Sequence, residues 1–515
     1  MLAFIARRLG AIVVILFGST YLIYNLAAYS GDPLEALKTS REPNVQQQIR
    51  TLTRELNLDT PPPFRYFIWL RGILGVFLGN GIDFGKSRTG QSVGELIWTA
   101  IPISFRLVVA AVILSIVFGI SIGIITALRQ YSRFDYSMTF VSFLLFSLPI
   151  FWIAVLMKEF LAIQFNNFLS DPVIRPGWIL GISIFTGVFW SAIISGDRRR
   201  VLTIFASVSL GTGLLLQILS SSKWFADPQL GPFTILALSI GIAFGITQLS
   251  TGISNRAALK SALIMAGINF ALYYPIQYLF EVENKKIVYA LMVIALFAVS
   301  GTVPLLMSRI DRGPIIRTSM LAAFLMGILN VIDKLMQTWK PYMETDAVYF
   351  RPIPTIGQVN ALLEPGNFWI NFLDQLVHLF LPTLALLLIS FAGYVRFSRG
   401  TLLEVLNQDY IRTAKAKGLT QRTVIMRHAF RNTMIPISTI LVADLAGIIS
   451  GATITERIFG WLGMGTLAFT AISSLDLNLL MGVTALLSFL VLCGNLVQDI
   501  LYSSLDPRIR AVRSK

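Results

Sequence analysis

Long apolar runs recur along the whole chain. Nine runs of about 20 residues contain no Asp, Glu, Lys or Arg, and three more carry one titratable residue each, Arg317, His378 or Asp444. A membrane-spanning helix needs about 20 mostly apolar residues. The pattern therefore predicts an all-α polytopic membrane protein with about twelve spans, at residues 10–29, 107–128, 136–157, 176–196, 201–222, 233–255, 261–280, 287–308, 315–332, 375–395, 432–455 and 477–498.

The composition supports this fold class and narrows the chemistry. Hydrophobic residues make up 55% of the 515 residues and charged residues 13%, about half the charged share of a soluble domain. One cysteine and two histidines exclude a disulfide framework and a Cys/His metal site built by this chain alone. We expect no metal site, no cofactor and no catalytic set, so the chain is not predicted to be an enzyme.

The distribution of positive charge predicts the orientation. The chain has 42 Lys and Arg residues against 27 Asp and Glu, a net charge of +15. If residues 1–9 are cytoplasmic, the inner segments sum to about +17 and the outer segments to about −2, as the positive-inside rule requires. Both termini are therefore predicted to be cytoplasmic. The charge is a topology signal rather than a nucleic-acid footprint, so the lipid bilayer is the expected environment.

Two longer segments lie between the spans. Residues 31–100, on the outer side, contain a predicted amphipathic helix at 45–56 and an aromatic segment at 64–78 that is expected to lie in the membrane interface. Residues 396–431 form the longest and most basic inner segment, a helix-compatible run interrupted by Gly418. Seven cytoplasmic cations lie between Arg399 and Arg431.

The inner segment has the form of a slim projection. Gly418 can adopt a positive φ or permit close approach of another backbone. Ala414 and Ala416 are expected to keep the bend narrow, and Arg412, Lys415 and Lys417 surround it with charge. Such a projection can enter a cleft of a cytoplasmic partner and be pushed by it. The alternative is a solvated loop that contacts anionic lipid.

Several motifs resemble those of one transporter family. Residues 409–410 (DY), 412–419 (RTAKAKGL), 427–429 (RHA) and 435–436 (IP) resemble the EAA loop of dipeptide/oligopeptide-type ABC importer permeases. Residues of the loop that the resemblance places against an ATPase are Asp409, Tyr410, Arg412, Thr413, Ala414, Lys415, Ala416, Lys417, Gly418 and Arg427. Further matches, in the family's order, are residues 5–9 (IARRL), 31–34 (GDPL), 55–69, 379–382 (LFLP), 456–461 (ERIFGW), 501–502 and 505–510 (LDPRIR).

The resemblance implies a function and a set of partners. The chain would be a permease subunit in a bacterial or archaeal inner or plasma membrane, forming a pathway with a second homologous permease. Two ATP-binding subunits would supply ATP and Mg²⁺ chemistry, and an extracytoplasmic binding protein would deliver substrate. Peptides are the expected substrate, with nickel or glycosides as alternatives within the family. A stand-alone secondary transporter is the rival from another class, although no internal repeat is evident.

The chain departs from the family in length and at single positions. Residues 166–350 are interpreted as a six-span insertion, which divides the chain into 1–100 (first span and outer region), 101–165 (first part of the permease core), 166–350, and 351–515 (second part, with the loop at 396–436). A lipid-facing bundle is the expected form of the insertion, with partner docking or regulation as alternatives. Leu462 replaces the family's usual proline, which predicts a looser outer turn.

Asp444 lies within a span, where an ionisable group faces protein or water. It could line the pathway and meet a peptide's amino group, or it could bond a neighbouring helix. Arg106 is expected to snorkel to the interface, and His378 to pair with Asp374. Three pairs of glycines spaced by four, beginning at residues 119, 241 and 447, permit close helix packing.

Overall fold

The computed structural model describes residues 2–39, 41, 44–79, 81–194, 196–282, 285–307, 312–447 and 453–505. Part of the predicted inner loop at 309–317, the second member of the third glycine pair (Gly451) and the C-terminal motif after Leu505 lie outside these residues. The predicted all-α fold is confirmed. The α-helices are α1 (Leu2–Ser30), α2 (Glu35–Lys38), α3 (Val45–Glu55), α4 (Pro62–Leu74), α5 (Val93–Leu128), α6 (Arg133–Ser147), α7 (Ile150–Met157), α8 (Gln164–Leu169), α9 (Pro176–Ile193), α10 (Arg198–Ser221), α11 (Gly231–Ser250), α12 (Arg256–Ala271), α13 (Tyr273–Leu279), α14 (Lys285–Met307), α15 (Arg312–Met343), α16 (Phe368–Leu406), α17 (Asp409–Ala416), α18 (Gln421–Thr423), α19 (Phe430–Gly447), α20 (Thr453–Phe459), α21 (Met464–Ser473) and α22 (Leu477–Leu505).

The described residues contain between nine and eleven candidate membrane spans. Within the described residues, nine helices are long and apolar enough to cross a membrane, and two bent helix pairs raise the number to eleven. The count of twelve is therefore not confirmed. The remaining predicted span, 432–455, corresponds in part to α19, which carries Asp444 and is not among these candidates. Residues 448–452 of this predicted span lie outside the described residues.

Two predicted spans are bent rather than straight. The axis turns by 101° between α6 and α7, and by 60° between α12 and α13. Leu148 precedes Pro149 and takes an extended conformation at the first bend, because the proline ring disfavours the helical conformation in the preceding residue. Pro275 lies in the first turn of α13. A backbone N–H in the first turn has no partner within its helix, so proline is tolerated at this position. Apolar periodicity alone does not reveal either bend.

Helices α5 and α16 pack against each other along much of their length. Glycines on α5 allow this approach: a Cβ atom at Gly119 would lie 2.5 Å from Cβ of Tyr394. At Gly123 it would lie 2.8 Å from the carbonyl oxygen of Val395. The first predicted glycine pair is thus a packing site. The second is not, since Gly241 and Gly245 have open space around them.

Replacing Gly123 with alanine is expected to destabilise the protein by about 2 kcal/mol, because α5 and α16 must separate to admit the methyl group. Gly241→Ala is the matched control. It places the same methyl group in open space on α11 and should be neutral or slightly stabilising, since alanine favours helix over glycine. The measurement is the midpoint of thermal unfolding in detergent. Equal midpoints for the two variants would contradict the packing role of Gly123.

The segment 166–350 consists of two groups of helices. Helices α9 and α10 form a hairpin that packs mainly on itself, while α11, α12, α14 and α15 form a bundle. Asp333 on α15 is fully buried and accepts hydrogen bonds from the backbone N–H of Leu230 (2.7 Å), the Tyr273 hydroxyl (2.7 Å) and the Gln337 amide (2.8 Å). It therefore joins the start of α11 to α13. The sequence analysis did not identify this residue.

Polar contacts attach this segment to the core. The Tyr342 hydroxyl of α15 donates to Oδ1 of Asp374 on α16 at 2.9 Å. His378 Nδ1 lies 3.3 Å from the same oxygen, so the predicted pairing of His378 with Asp374 is confirmed. The Asn166 side chain bonds both the N–H and the C=O of Ile353, at 3.1 and 2.8 Å. The two ends of the segment thus lie side by side.

The outer region follows the prediction more closely. Helix α3 ends at Glu55, one residue before the predicted end, and Leu52 and Leu56 are buried against Leu34. In α4, Tyr66 is fully buried and shares a 2.9 Å hydrogen bond with Thr20 of α1. The aromatic segment is therefore fastened to the first span, while Phe64 on the same helix is exposed.

Candidate coupling loop and intramembrane cleft

The loop after α16 consists of two helical arms joined at Gly418. Helix α17 ends at Ala416, and Gly418 follows with φ +74°, the left-handed conformation that commonly terminates a helix. Thr420 then begins the second arm: its hydroxyl accepts from the N–H of Thr423 at 3.4 Å. A π-helical turn, Val424–Ala429, leads into α19. The predicted interruption at Gly418 is therefore present in the fold.

Buried apolar side chains brace both arms against the core. Ile411 and Ala414 of the first arm lie in one cluster with Val424 of the second arm. The same cluster contains Ala127 at the end of α5 and Leu402 near the end of α16. The sequence predicts that Ala414 keeps the bend narrow. In the structure Ala414 is 6% exposed, and its small side chain packs against the core. The loop therefore packs directly on the ends of α5 and α16 that lie beside it.

The tip of the loop is fully accessible. All seven residues from Lys415 to Gln421 are exposed. The exposed surface combines the charges of Lys415 and Lys417 with the apolar side chains of Tyr410, Leu419 and Met426. The other predicted loop residues are exposed as well, namely Asp409, Arg412, Thr413, Ala416 and Arg427. Nη1 of Arg412 lies 3.4 Å from Oδ1 of Asp409.

One cation attributed to this surface has a different role. Arg399 of α16 forms a two-point ion pair with Asp135 of α6, with N–O distances of 2.8 and 3.0 Å. Asp135 is 2% exposed and also accepts from the N–H of Tyr131 at 3.0 Å. The turn between α5 and α6 is therefore fixed to α16 directly before the segment that carries the loop. Sequence spacing could not reveal this pair, since its members are 264 residues apart.

A cleft of about 590 Å³ opens between α6, α16 and α19. Asp444 of α19 is exposed on its wall and accepts a 2.5 Å hydrogen bond from the Tyr394 hydroxyl of α16. The predicted hydrogen bond to a neighbouring helix is present, and the role of Asp444 in a pathway stays a prediction. The residues that line the cleft are Phe146, Ser390, Gly393, Tyr394, Arg396, Phe397, Ile440 and Asp444.

The described residues contain no group of three or more His, Cys, Asp or Glu side chains placed to hold a metal ion. Arg106 of α5 is exposed and does not line the cleft.

Comparison with known proteins identifies the family. The profile described as "Binding-protein-dependent transport system inner membrane component" matches residues 283–511. The oligopeptide transport system permease protein OppB of Mycobacterium tuberculosis (strain ATCC 25618 / H37Rv) is 25% identical over 511 residues, 99% of each chain. The di/tripeptide transport system permease protein DppB of Pseudomonas aeruginosa (strain UCBPP-PA14) is 26% identical over 514 residues, 100% of each chain. The dipeptide transport system permease protein DppB of Escherichia coli (strain K12) is 41% identical over 140 residues, 27% of this chain and 41% of its own. The chain therefore resembles permeases of this family, and the family profile covers residues 283–511.

The matched region contains the loop and the part of the cleft that α16 and α19 form. Residues 283–511 include the loop from Asp409 to Ala429 and the cleft residues of α16 and α19. Asp135 and Phe146 lie before the match. The full-length alignments with the Mycobacterium and Pseudomonas proteins also run through 166–350, so these relatives have a chain segment of corresponding length at this position. The family and the helical membrane fold make this chain a transport permease.

Proposed function

We propose that this permease is one of two membrane-spanning subunits of an ATP-driven importer for short peptides. A second homologous permease forms the pathway with it, two ATP-binding subunits dock at its cytoplasmic loop, and an extracytoplasmic binding protein delivers the peptide. ATP and Mg²⁺ act in the ATP-binding subunits, and this chain is a translocation subunit without a catalytic site. The names of the relatives, which are oligopeptide, di/tripeptide and dipeptide permeases, support a peptide substrate.

The observation that carries the proposal is the shape of the loop around Gly418. Its seven exposed tip residues project from two arms whose buried residues, Ile411 and Val424, rest on the inner ends of α5 and α16. A partner that grips the tip can therefore move the spans, which is what coupling of ATP-driven closure to transport requires. The exposed Tyr410, Leu419 and Met426 favour a protein partner, since a solvated loop gains nothing from exposing them.

The proposal places both termini and the loop in the cytoplasm. Arg8 of α1 and Asp499 of α22 form an ion pair at 3.1 Å, which supports the location of the two chain ends on one side of the membrane. The predicted excess of positive charge in the inner segments supports the cytoplasm as that side. The membrane is the inner or plasma membrane of a bacterial or archaeal cell.

We further propose that 1–100, 101–165 and 351–515 form the permease core and that 166–350 is an insertion into it. The adjacency of Asn166 and Ile353 supports this division, because a segment whose ends meet can be added without separating the elements on either side. The insertion is a peripheral bundle that contacts the core mainly through α15.

The test is to purify the permease from its native membrane and to identify what accompanies it. We expect ATP-binding subunits and a second permease in the complex, and ATP-dependent uptake of labelled peptide into proteoliposomes when the binding protein is supplied. Substitution of Lys415 and Lys417 by glutamate should release the ATP-binding subunits from the complex. Uptake by the purified chain alone, driven by a proton or sodium gradient without ATP, would refute the proposal in favour of a secondary transporter.

A further inference from the structure

Two opposite charges line the cleft between α6, α16 and α19 without neutralising each other. The Asp444 carboxylate is bonded by the Tyr394 hydroxyl. The Arg396 guanidinium lies over two aromatic rings, 4.5 Å from the centroid of Phe146 and 5.2 Å from that of Phe143. Within the described residues, no ion pair joins Arg396 to Asp444. The carboxylate and the guanidinium are thus held by separate contacts, the first by a hydroxyl and the second by aromatic rings.

The position of Asp444 within α19 restricts what its carboxylate can face. Asp444 lies 14 residues into α19, about 20 Å along the helix from its start. Tyr394 lies twelve residues before the end of α16, a similar depth. An ionised carboxylate at that depth is stable only when it faces water, protein or a ligand of opposite charge. Inside the cleft, the Asp444 carboxylate is therefore expected to face water or a polar ligand rather than lipid.

The size and charge of the cleft select one class of ligand. Its volume of about 590 Å³ lies in the range of small-molecule sites. A metal cation would be attracted by Asp444 but repelled by Arg396. A neutral glycoside would leave both charges without a counterpart. A molecule with an amino group and a carboxylate satisfies both.

We propose that this cleft is a transit site for zwitterionic peptides, in which Asp444 receives the free amino group and Arg396 the free carboxylate. The inference rests on the proposed transport function and specifies its substrate class. Tyr394 is a positioning residue that holds the Asp444 carboxylate toward the cleft, and the ring of Phe146 holds the guanidinium. The aromatic residues Phe146 and Phe397 supply apolar contact for peptide side chains.

The experiment measures uptake of trialanine, its N-acetylated form and its C-terminal amide by the complete reconstituted complex. The variants are Asp444→Asn and Arg396→Gln. Because the binding protein is the same in every preparation, its own selectivity cancels when ratios of uptake are compared between variants. We expect Asp444→Asn to reduce the preference for the free over the acetylated amino terminus by about 10-fold, the effect of losing one charge pair of about 1.4 kcal/mol. Arg396→Gln should reduce the preference for carboxylate over amide to a similar extent and leave the amino-terminal preference unchanged.

Arg106→Gln is the matched control, because it removes an exposed arginine of a core span outside the cleft and should change neither ratio. Asp444→Glu and Arg396→Lys keep the charges and should preserve both ratios, and Asp444→Ala and Arg396→Ala replace any charge-removing variant that fails to assemble. Unchanged ratios in both charge-removing variants would overturn the transit site while leaving peptide transport intact. Absence of ATP-dependent uptake of all three peptides by the wild-type complex would instead refute the proposed function and with it the site.

Discussion

Replacing Gly418 with aspartate is expected to abolish ATP-driven uptake while membrane insertion survives. Gly418 has φ +74° and no atom within 4 Å of the position that a Cβ would take. The fold therefore tolerates a side chain at a cost of about 1 kcal/mol for the left-handed backbone. The added carboxylate, however, projects from the tip between Lys417 and Leu419, where it alters the charge and shape of the surface offered to an ATP-binding subunit. The measurements are uptake and substrate-stimulated ATP hydrolysis in proteoliposomes.

Gly418→Asn separates the effect of charge from that of volume. Asparagine is nearly the same size as aspartate and also tolerates the left-handed conformation. If the tip enters a close-fitting cleft of an ATP-binding subunit, both variants lose uptake because of the added volume. If the added charge causes the loss of uptake, only the aspartate variant loses it. Wild-type uptake by Gly418→Asp, in a complex that still contains its ATP-binding subunits, would show that this loop does not couple ATP hydrolysis to transport.

Removing the Asp135 carboxylate is expected to have the largest effect on stability. The Arg399 guanidinium, 28% exposed, would lose both of its bonds to this side chain, and breaking a buried ion pair by deleting one partner costs about 3–5 kcal/mol. Asp135→Ala should therefore lower the thermal unfolding midpoint by several degrees and reduce uptake, since the turn between α5 and α6 is then no longer fixed to α16. Arg399→Met in the same chain should restore part of the lost stability, because the uncompensated charge is removed.

Glu55→Gln is the control for that experiment. It breaks the ion pair of Glu55 with Lys86, whose N–O distance is 3.3 Å and whose side chains are 32% and 59% exposed. Such surface pairs contribute below about 1 kcal/mol, so the midpoint should hardly move. Equal shifts for Asp135→Ala and Glu55→Gln would contradict a structural role for the pair of Asp135 with Arg399.

The loop around Gly418 shows which structural features can be predicted from the sequence. Its residues, its interruption at Gly418 and its charge are all local properties of one segment, and the structure places them on one exposed projection. The direction in which each side chain points depends on what packs behind it. Ala414 faces the core because Ala127 and Leu402 lie there, and neither contact can be deduced from spacing within the loop.

The charged residues show the same division. Charge counts predicted an inner surface rich in cations, but Arg399 is bound to Asp135 and is not available for docking. Asp444 was identified as a costly residue within a span, yet the sequence could not bring Tyr394 and Arg396 to the same cleft. The role of Asp333 cannot be seen in the local sequence, because its partners at the start of α11 and on α13 lie about 100 and 60 residues away in the chain.

The helical membrane fold and the basic loop interrupted by glycine follow from the sequence alone. Both depend on the length of apolar runs and the placement of charges, which can be read within single segments of the chain. The bends in the spans, the glycines at which helices pack closely, and the pairing of charged residues are visible only in the tertiary structure. These outcomes depend on contacts between residues far apart in the chain, and the same local pattern is compatible with many such arrangements. Gly123 and Gly241 stand in equivalent patterns, yet only one meets a neighbouring helix.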